Sequence, residues 1–553
     1  MSFSLKMVGT LAVCLYSSYS LLNEYEPKII SDESIKEEVY LPDYSFAGYR
    51  FSEEKIPSNP KGKIIDVIEF GALPDDGLDD SQAILKAMAA AHEVEGPVVV
   101  QLPPGKLILS EIIYIRRSNL VLRGAGSGQG GTTIFCPRPM SFLKNPPELK
   151  ELREYLIELN KRQREPENNI DLPFSQYAWS GGMIWTIYPG ARVKNYLNKY
   201  DEAPVVLAKL AKGKKGRNKI ECERMDGLKV GDIVQIEWFN NEGPEGSLIQ
   251  ELYNYSDLKV GSHHWNYPEH PLVVQQVQVT SIDGLTITIK DPLLQDVRSV
   301  WNCQMTAWIH LEEVGIEHFK IEFPMAPNIA HHVEDGYNGI YLTRLFNSWV
   351  NDVRIENADS GILTEESANV TIRDIITLGD KKAHYSVSMG SVHNVLVDNL
   401  IVSNKVIHPL SFNTHATKSV YHDCTIYSDP ILDQHSGANH QNLFDNIKVY
   451  VNLDQGSMSY PLFAGGGASY WKPSHGAFTT FWNIDVHFEN AFDQKGTVLL
   501  DGMNDGASAR LIGVHANRDI RIEYGPNAYI EGTNQSLTSH PSLFDYQLMG
   551  RNQ

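Results

Sequence analysis

The chain has 553 residues, and its 48 Lys and Arg against 68 Asp and Glu give a formal net charge of -20. Hydrophobic residues at 42% and charged residues at 21% are ordinary for a globular protein, which excludes a wholly disordered chain. The acidic excess argues against a nucleic-acid binder, whose phosphate contacts need a broad basic face.

Residues 1–20 combine an early Lys6, an apolar run over 7–16 and the small residues Ser17, Ser18 and Ser20. This reads as a signal peptide, too short to span a bilayer, and predicts a secreted protein, periplasmic or on the outer surface in a bacterium. Leu11-Ala12-Val13-Cys14 fits a lipidation site poorly, because Val precedes the cysteine. No later segment reads as a membrane span. Cys14, Cys136, Cys222, Cys303 and Cys424 show no CxxC and no regular spacing, which excludes a zinc ribbon, an iron–sulfur cluster and a disulfide scaffold.

After an N-terminal extension, 21–60, the run 64–70 (IIDVIEF) is strand-like and 71–80 (GALPDDGLDD) is a turn cluster. Asp80 is placed to cap a helix over 81–91, whose Ala83, Ile84, Ala87 and Met88 fall at helical spacing. Strands follow at 98–102, 107–115 and 120–122, then the Gly-rich run 123–131 (RGAGSGQGG). A phosphate-binding loop must open a helix. Here the strand-like TTIF follows, so the run reads as a tight corner between strands.

The phrases DVIEFGALPDDGLDDSQAILKA, LPPGKL and SNLVLRGAGSGQGGTTI resemble the start of pectate-lyase-superfamily proteins. The resemblance implies an all-β fold, a right-handed parallel β-helix (a pectin-lyase-like solenoid), with this segment and its helix capping the narrow end and substrate bound further along. It makes Asp75, Asp76, Asp79 and Asp80 turn and cap residues. It leaves chemistry open, because the superfamily includes lyases, hydrolases, epimerases and phage tailspikes.

Internal repetition supports the same fold independently. A phrase apolar-x-[Asp/Asn]-apolar recurs with its polar residue at Asp352, Asp374, Asn399, Asp423 and Asn446, in steps of 22, 25, 24 and 23. That period suits one coil of a parallel β-helix, and the polar residues read as a ladder at a turn. The next step, to Asn483, is 37 residues, so that coil carries a loop of about a dozen extra residues. The organisation is then 1–20 signal peptide, 21–60 extension, 61–136 cap and first coils, 137–204 helical excursion, 205–300 inserted small β module, 301–535 coils and 536–553 tail.

Each coil has a second strand, near 340–343, 362–365, 387–390, 410–415 and 432–436. Alternation turns Ile340, Leu342, Ile362, Val387, Met389, Leu410, Phe412 and Leu432 inward. Tyr341, Thr343, Leu363, Glu365, Ser388, Asn413, His415, Asp433 and His435 then face outward. This register stacks Asn413 on Asp433 and His415 on His435, with Lys381, Lys382, Lys405, Lys418 and Arg344 in neighbouring turns.

Such a face offers bases, acids and cations. β-Elimination of a uronate needs a cation or amide on the carboxylate, a base for the α-proton and a proton for the leaving oxygen. His415 or His435 serves as base, assisted by Asp433, Asn413, Lys382, Lys405 or Lys418. Glu365, Tyr341, Arg344, Lys381, Lys405, Trp471 and Tyr470 are candidate substrate contacts, the aromatics as sugar-stacking platforms. Glycoside hydrolysis needs two carboxyls within about 5–9.5 Å. Glu365 and Asp433 are three coils, about 14 Å, apart, although Asp359 or Asp429 in the turns could complete a pair.

The sequence therefore predicts a polysaccharide lyase acting on an anionic polysaccharide. A glycoside hydrolase on the same scaffold and a non-catalytic glycan-binding surface protein are the alternatives. The sequence assigns no definite cofactor. His415, Asp433 and His435 lack helical metal-ligand spacing, and Ca2+ on turn carboxylates is the ion left open.

Overall fold

The computed structural model describes residues 25–163, 174–193, 204–243, 246–261, 269–327, 330, 332–435, 437–467, 472–490, 496–502 and 505–553. The signal-peptide reading of 1–20 and Cys14 lie outside them. Among the described residues no helix is long and apolar enough to cross a membrane, and Cys136, Cys222, Cys303 and Cys424 are buried free thiols.

The chain winds into a right-handed parallel β-helix, the hand that right-twisted strands favour for parallel crossovers. One wall is a seven-stranded parallel sheet whose strands follow chain order: Ile113–Ile115, Ile184–Thr186, Asn338–Thr343, Ser360–Glu365, Ala383–Gly390, Val406–Asn413 and Leu432–His435. A larger sheet forms the remaining walls, and its strands bend at one residue per coil. In Leu345–Glu356, for instance, pairing with Ser367–Leu378 runs on both sides of Asp352.

The bend explains the repeated polar residue. Asp352, Asp374, Asn399, Asp423, Asn446 and Asn483 all have positive φ, between 51° and 56°. Asn and Asp tolerate this left-handed conformation better than other residues with side chains. Their side chains also join from coil to coil: Asn399 Nδ2 donates to Asp374 Oδ1 at 2.6 Å, and Asn446 Nδ2 to Asp423 Oδ1 at 2.6 Å. Asn483 Nδ2 donates to Asn446 Oδ1 at 2.9 Å.

At the N-terminal end of the solenoid, helix Ser81–His92 buries Ala83, Ile84, Ala87 and Met88. Asp80 does not cap it through its side chain. Its buried carboxylate instead accepts the Leu73 and Ile108 amides, each at 2.9 Å, clamping the turn to the next strand. Asp79 takes the capping bond, from the Ser81 amide at 2.8 Å. The Gly-rich run leads into strand Thr132–Phe135. A Cβ on Gly124 would lie 2.2 Å from the His318 carbonyl, so the corner requires glycine there.

Two excursions interrupt the coils. One carries helix Lys150–Gln163 and returns through strand Ile184–Thr186 into the seven-stranded sheet. The other is a closed six-stranded antiparallel barrel, from Val206–Gly213 to Gln304–Ala307, with its own core. The N-terminal segment runs back over the larger sheet. Tyr25 Oη bonds Glu531, Tyr44 Oη bonds Thr480, the Gly48 amide bonds the Asn394 carbonyl, and Arg50 pairs with Glu313. Beside it, the C-terminal helix Leu543–Asn552 buries Leu543 and Phe544 with Leu396, Val420, Leu443, Trp482 and Ile512.

Buried neutral histidines make this fold acid-sensitive. His440 bonds the Ala438 carbonyl through Nδ1 and Gln295 through Nε2; His475 bonds the Gly476 carbonyl and Tyr524 Oη. Burial lowers their pKa values to about 3 and about 4. Both are lowered, so their contribution is complete above the ordinary value near 6.5 and is lost as pH falls. Asp445 opposes the trend, because burial raises it to about 6 and it gains a proton in the folded state first. His415, likewise lowered to about 4 by burial, adds to the two, so the histidines outweigh Asp445 and stability falls between roughly pH 6 and 4. Urea titrations at pH 7, 6 and 5 should show it as a falling midpoint.

Candidate active site

The outward side of the seven-stranded sheet gathers the polar groups. Ile340, Ile362, Val387, Leu410 and Leu432 form one register column, and Leu342, Thr364, Met389, Phe412 and Gln434 another. The predicted inward residues are all buried in the solenoid core. Gln434 is also fully buried, with Thr479 Oγ1 donating to its Oε1 at 3.0 Å and Tyr524 Oη 3.4 Å from its Nε2.

The outward columns differ from the expected stacking by two residues. Ser411 pairs with Asp433, and Asn413 pairs with His435. The strand ends at Asn413 and the chain turns at Thr414, which has a φ of 42°. His415 therefore leaves the sheet and does not stack on His435. Burial, then His270, lowers its pKa to about 4.

Asp433 is the centre of the site. It is fully buried, and its Oδ2 accepts from Ser411 Oγ at 2.6 Å and His435 Nδ1 at 2.5 Å. His408 Nδ1 lies 3.3 Å from the same oxygen, and the Gly466 amide donates to Oδ1 at 3.1 Å. Burial opposes its charge, but His435 and His408 outweigh this and hold the carboxyl well below the usual range. In the neutral ring, an Nδ1–H donated to Asp433 leaves the lone pair on Nε2. The imidazole edge abuts Gly466, where a Cβ would come within 2.0 Å, so this contact requires glycine.

Tyr385 and His408 are register neighbours with ring centroids 5.3 Å apart, and His408 meets His435 edge-on at 4.6 Å. His384 stacks on Tyr385 at 4.1 Å, with its Nδ1 3.0 Å from Glu334. A pocket opens beside this aromatic row. Its lining includes Glu365, Tyr385, Ser388, Asn413 and Trp179. Trp179 comes from the return loop of the first excursion, which Asn338 fastens through bonds to the carbonyls of Tyr177, Ser180 and Gly181. His408, Asp433 and His435 also form a group with the spacing of metal ligands.

Asp433, His435, Asn413, Glu365 and Tyr341 thus share the outward face. Glu365 is buried and accepts a short hydrogen bond from Tyr341 Oη. The predicted cations do not line the pocket. Lys381 is buried and paired to Asp359 at 2.6 Å, and Arg344 pairs with Glu366 at 2.7 Å. Lys382 and Lys405 are exposed in turns. Lys418 is buried away from this sheet, donating to the Asp43 carbonyl at 3.1 Å beneath the N-terminal segment, and burial lowers its pKa to about 8. Asp429 accepts from the Asn452 amide at 2.5 Å, and Asp359 holds the Gly336 and Tyr337 amides. Tyr470 and Trp471 lie outside the described residues.

His408, Tyr385 and His384 were missed. They lie in the first halves of strands Val406–Asn413 and Ala383–Gly390, upstream of where alternation becomes regular. The β-branched Val406-Ile407 before His408 was the available signal.

Residues 64–136 match the family described as rhamnogalacturonase A/epimerase, pectate lyase-like. This match and the observed fold agree on a pectate-lyase-like parallel β-helix. A comparison with curated proteins gives no match. Among solved structures, the tailspike protein gp49 from Pseudomonas phage LKA1 is similar at 12% identity and a TM-score of 0.45, covering 85% of this chain and 81% of that one. The Family 28 exopolygalacturonase of Yersinia enterocolitica gives 12% and 0.34, over 86% and 78% of the two chains. The A-module of the Azotobacter vinelandii mannuronan C-5 epimerase AlgE6 gives 12% and 0.31, over 85% and 98%.

Proposed function

We propose that this protein is an exported carbohydrate-active enzyme that cleaves a uronic-acid-containing polysaccharide by β-elimination. The observation that carries this reading is the buried Asp433 carboxylate, which orients His435 beside a pocket containing Asn413 and Tyr385. In the proposed step His435 Nε2 takes the proton α to the uronate carboxyl. The electron pair left behind forms the C4–C5 double bond as the C4–O bond breaks. Tyr385 Oη protonates the departing oxygen, and the Asn413 amide hydrogen-bonds the carboxylate as it gains enolate character.

The separation of carboxylates supports elimination over hydrolysis. Glu365 and Asp433 lie on strands three steps apart, and in different register columns, so at least about 14 Å separates them. A hydrolytic pair needs about 5–9.5 Å. Asp433 is moreover held ionised by two imidazoles, so it is a poor proton donor. The match over 64–136 supports a pectate-lyase-like scaffold, and the signal-peptide reading of 1–20 supports export.

The test is a product assay over anionic and neutral polysaccharides. Elimination should give products with ultraviolet absorbance from the new double bond. New reducing ends without that absorbance would reassign the site to hydrolysis, and no product from any polymer would leave a binding protein.

A further inference from the structure

We propose a second site, a divalent transition-metal site of the Zn2+ class, formed by His422, Asp423 and Asp545 and oriented by Asp398. It lies on the larger sheet, where the C-terminal helix meets the bend ladder, and it is separate from the pocket.

His422 ends strand Val420–His422, and its side chain is only 8% exposed. Its Nδ1 is 2.8 Å from Asp398 Oδ1, and Asp398 Oδ2 is held by Arg373 Nε at 2.6 Å. This fixes the ring and directs the Nε2 lone pair into a gap between two carboxylates. Asp423 Oδ2 is 3.7 Å from Nε2, and Asp545 Oδ2 is 3.6 Å from it. Nε2 is buried and has no hydrogen-bond partner.

The distances suit a metal ion. At 3.6–3.7 Å an N–H on Nε2 reaches neither carboxylate well. Ligands bound to one tetrahedral ion at 2.0–2.2 Å stand about 3.4 Å apart, close to the observed separations. Asp423 already uses Oδ1 for Asn446, which leaves Oδ2 directed at the gap. The carboxylate–imidazole–gap order from Asp398 through His422 is the arrangement that orients metal-binding histidines. Asp398, His422 and Asp423 have the mutual spacing of metal ligands. One imidazole with two carboxylates suits Zn2+ better than Ca2+, which takes six to eight oxygens.

Such an ion would tie the C-terminal helix, through Asp545 in its first turn, to the solenoid at Asp423. Asp423 and Asp545 are 45% and 55% exposed, so changing them spares the core. The test is calorimetric titration of chelator-treated full-length protein with ZnCl2, alongside hydrogen exchange over 543–552. The wild type should bind one equivalent, with slower exchange in the helix. Asp423→Asn and Asp545→Asn should each weaken binding at least tenfold, and Asp398→Asn by about 10–100-fold. The proposal is overturned by no stoichiometric binding, by saturation with Ca2+ but not Zn2+, or by unchanged affinity in the Asp423→Asn/Asp545→Asn double variant. The last result would place the ion elsewhere, for instance at His408, Asp433 and His435.

Discussion

Replacing His435 by alanine is expected to slow release of unsaturated product about a thousandfold, with KM changed no more than a few-fold. The base acts on a proton that moves only in the transition state, so its loss should fall on kcat. A purely structural role would lower the melting temperature and leave kcat of the folded enzyme unchanged. His435 is a partner of the buried Asp433 carboxylate, so its loss also lowers the melting temperature, and kcat is compared below the variant's unfolding transition. Asp433→Asn should also slow the reaction, by losing the carboxylate that fixes the imidazole tautomer. It should destabilise the fold as well, because Asp433 is fully buried among Ser411, His408, His435 and the Gly466 amide. A His435→Ala enzyme with wild-type kcat would remove His435 from the chemistry.

Asp445→Ala is expected to cost about 3–5 kcal/mol, concentrated at the C-terminal helix. The Asp445 carboxylate is fully buried and accepts three bonds from the start of that helix. Ser542 Oγ lies at 2.7 Å, and the Leu543 and Phe544 amides each at 2.9 Å. Alanine leaves three donors at a helix N-terminus without that acceptor, beside the apolar surface that Leu543 and Phe544 cover. Hydrogen exchange should rise over 543–552 before the coils respond, and limited proteolysis should cut there first. A uniform fall in stability with the helix still protected would contradict the anchoring role.

The repeat was legible in the sequence because core burial imposes it. Ile362, Val387, Leu410 and Leu432 must each fill the same column, and Asp374, Asn399 and Asp423 must each accept a left-handed bend. Both constraints leave a period in the residues. The outward face obeys no such constraint. Nothing in Asn413-Thr414-His415 marks the strand end, so the expected stacking ran two residues too far. The side of a turn was equally hidden. Lys381 and Lys418 both flank site strands in sequence, yet one is paired to Asp359 and the other lies beneath Tyr44 and Asp43. Trp179 reaches the pocket, and Gly466 reaches Asp433 and His435, through loops whose positions depend on contacts distant in the chain, which local pattern does not encode.

The N-terminal segment has a consequence for how the molecule unfolds. In a solenoid each coil touches only its neighbours, so a chain of coils can fray from either end or separate in the middle. Here one covalent strap touches the late coils at Glu531 and Thr480, the middle at Asn394 and Thr371, and the early repeats at Asn347 and Glu313. Losing the last coil therefore frees the strap's first anchor and lowers the local concentration of the next. Coils that nearest-neighbour contacts would leave independent become coupled along the axis. The strap turns a one-dimensional stack into something nearer a single cooperative unit.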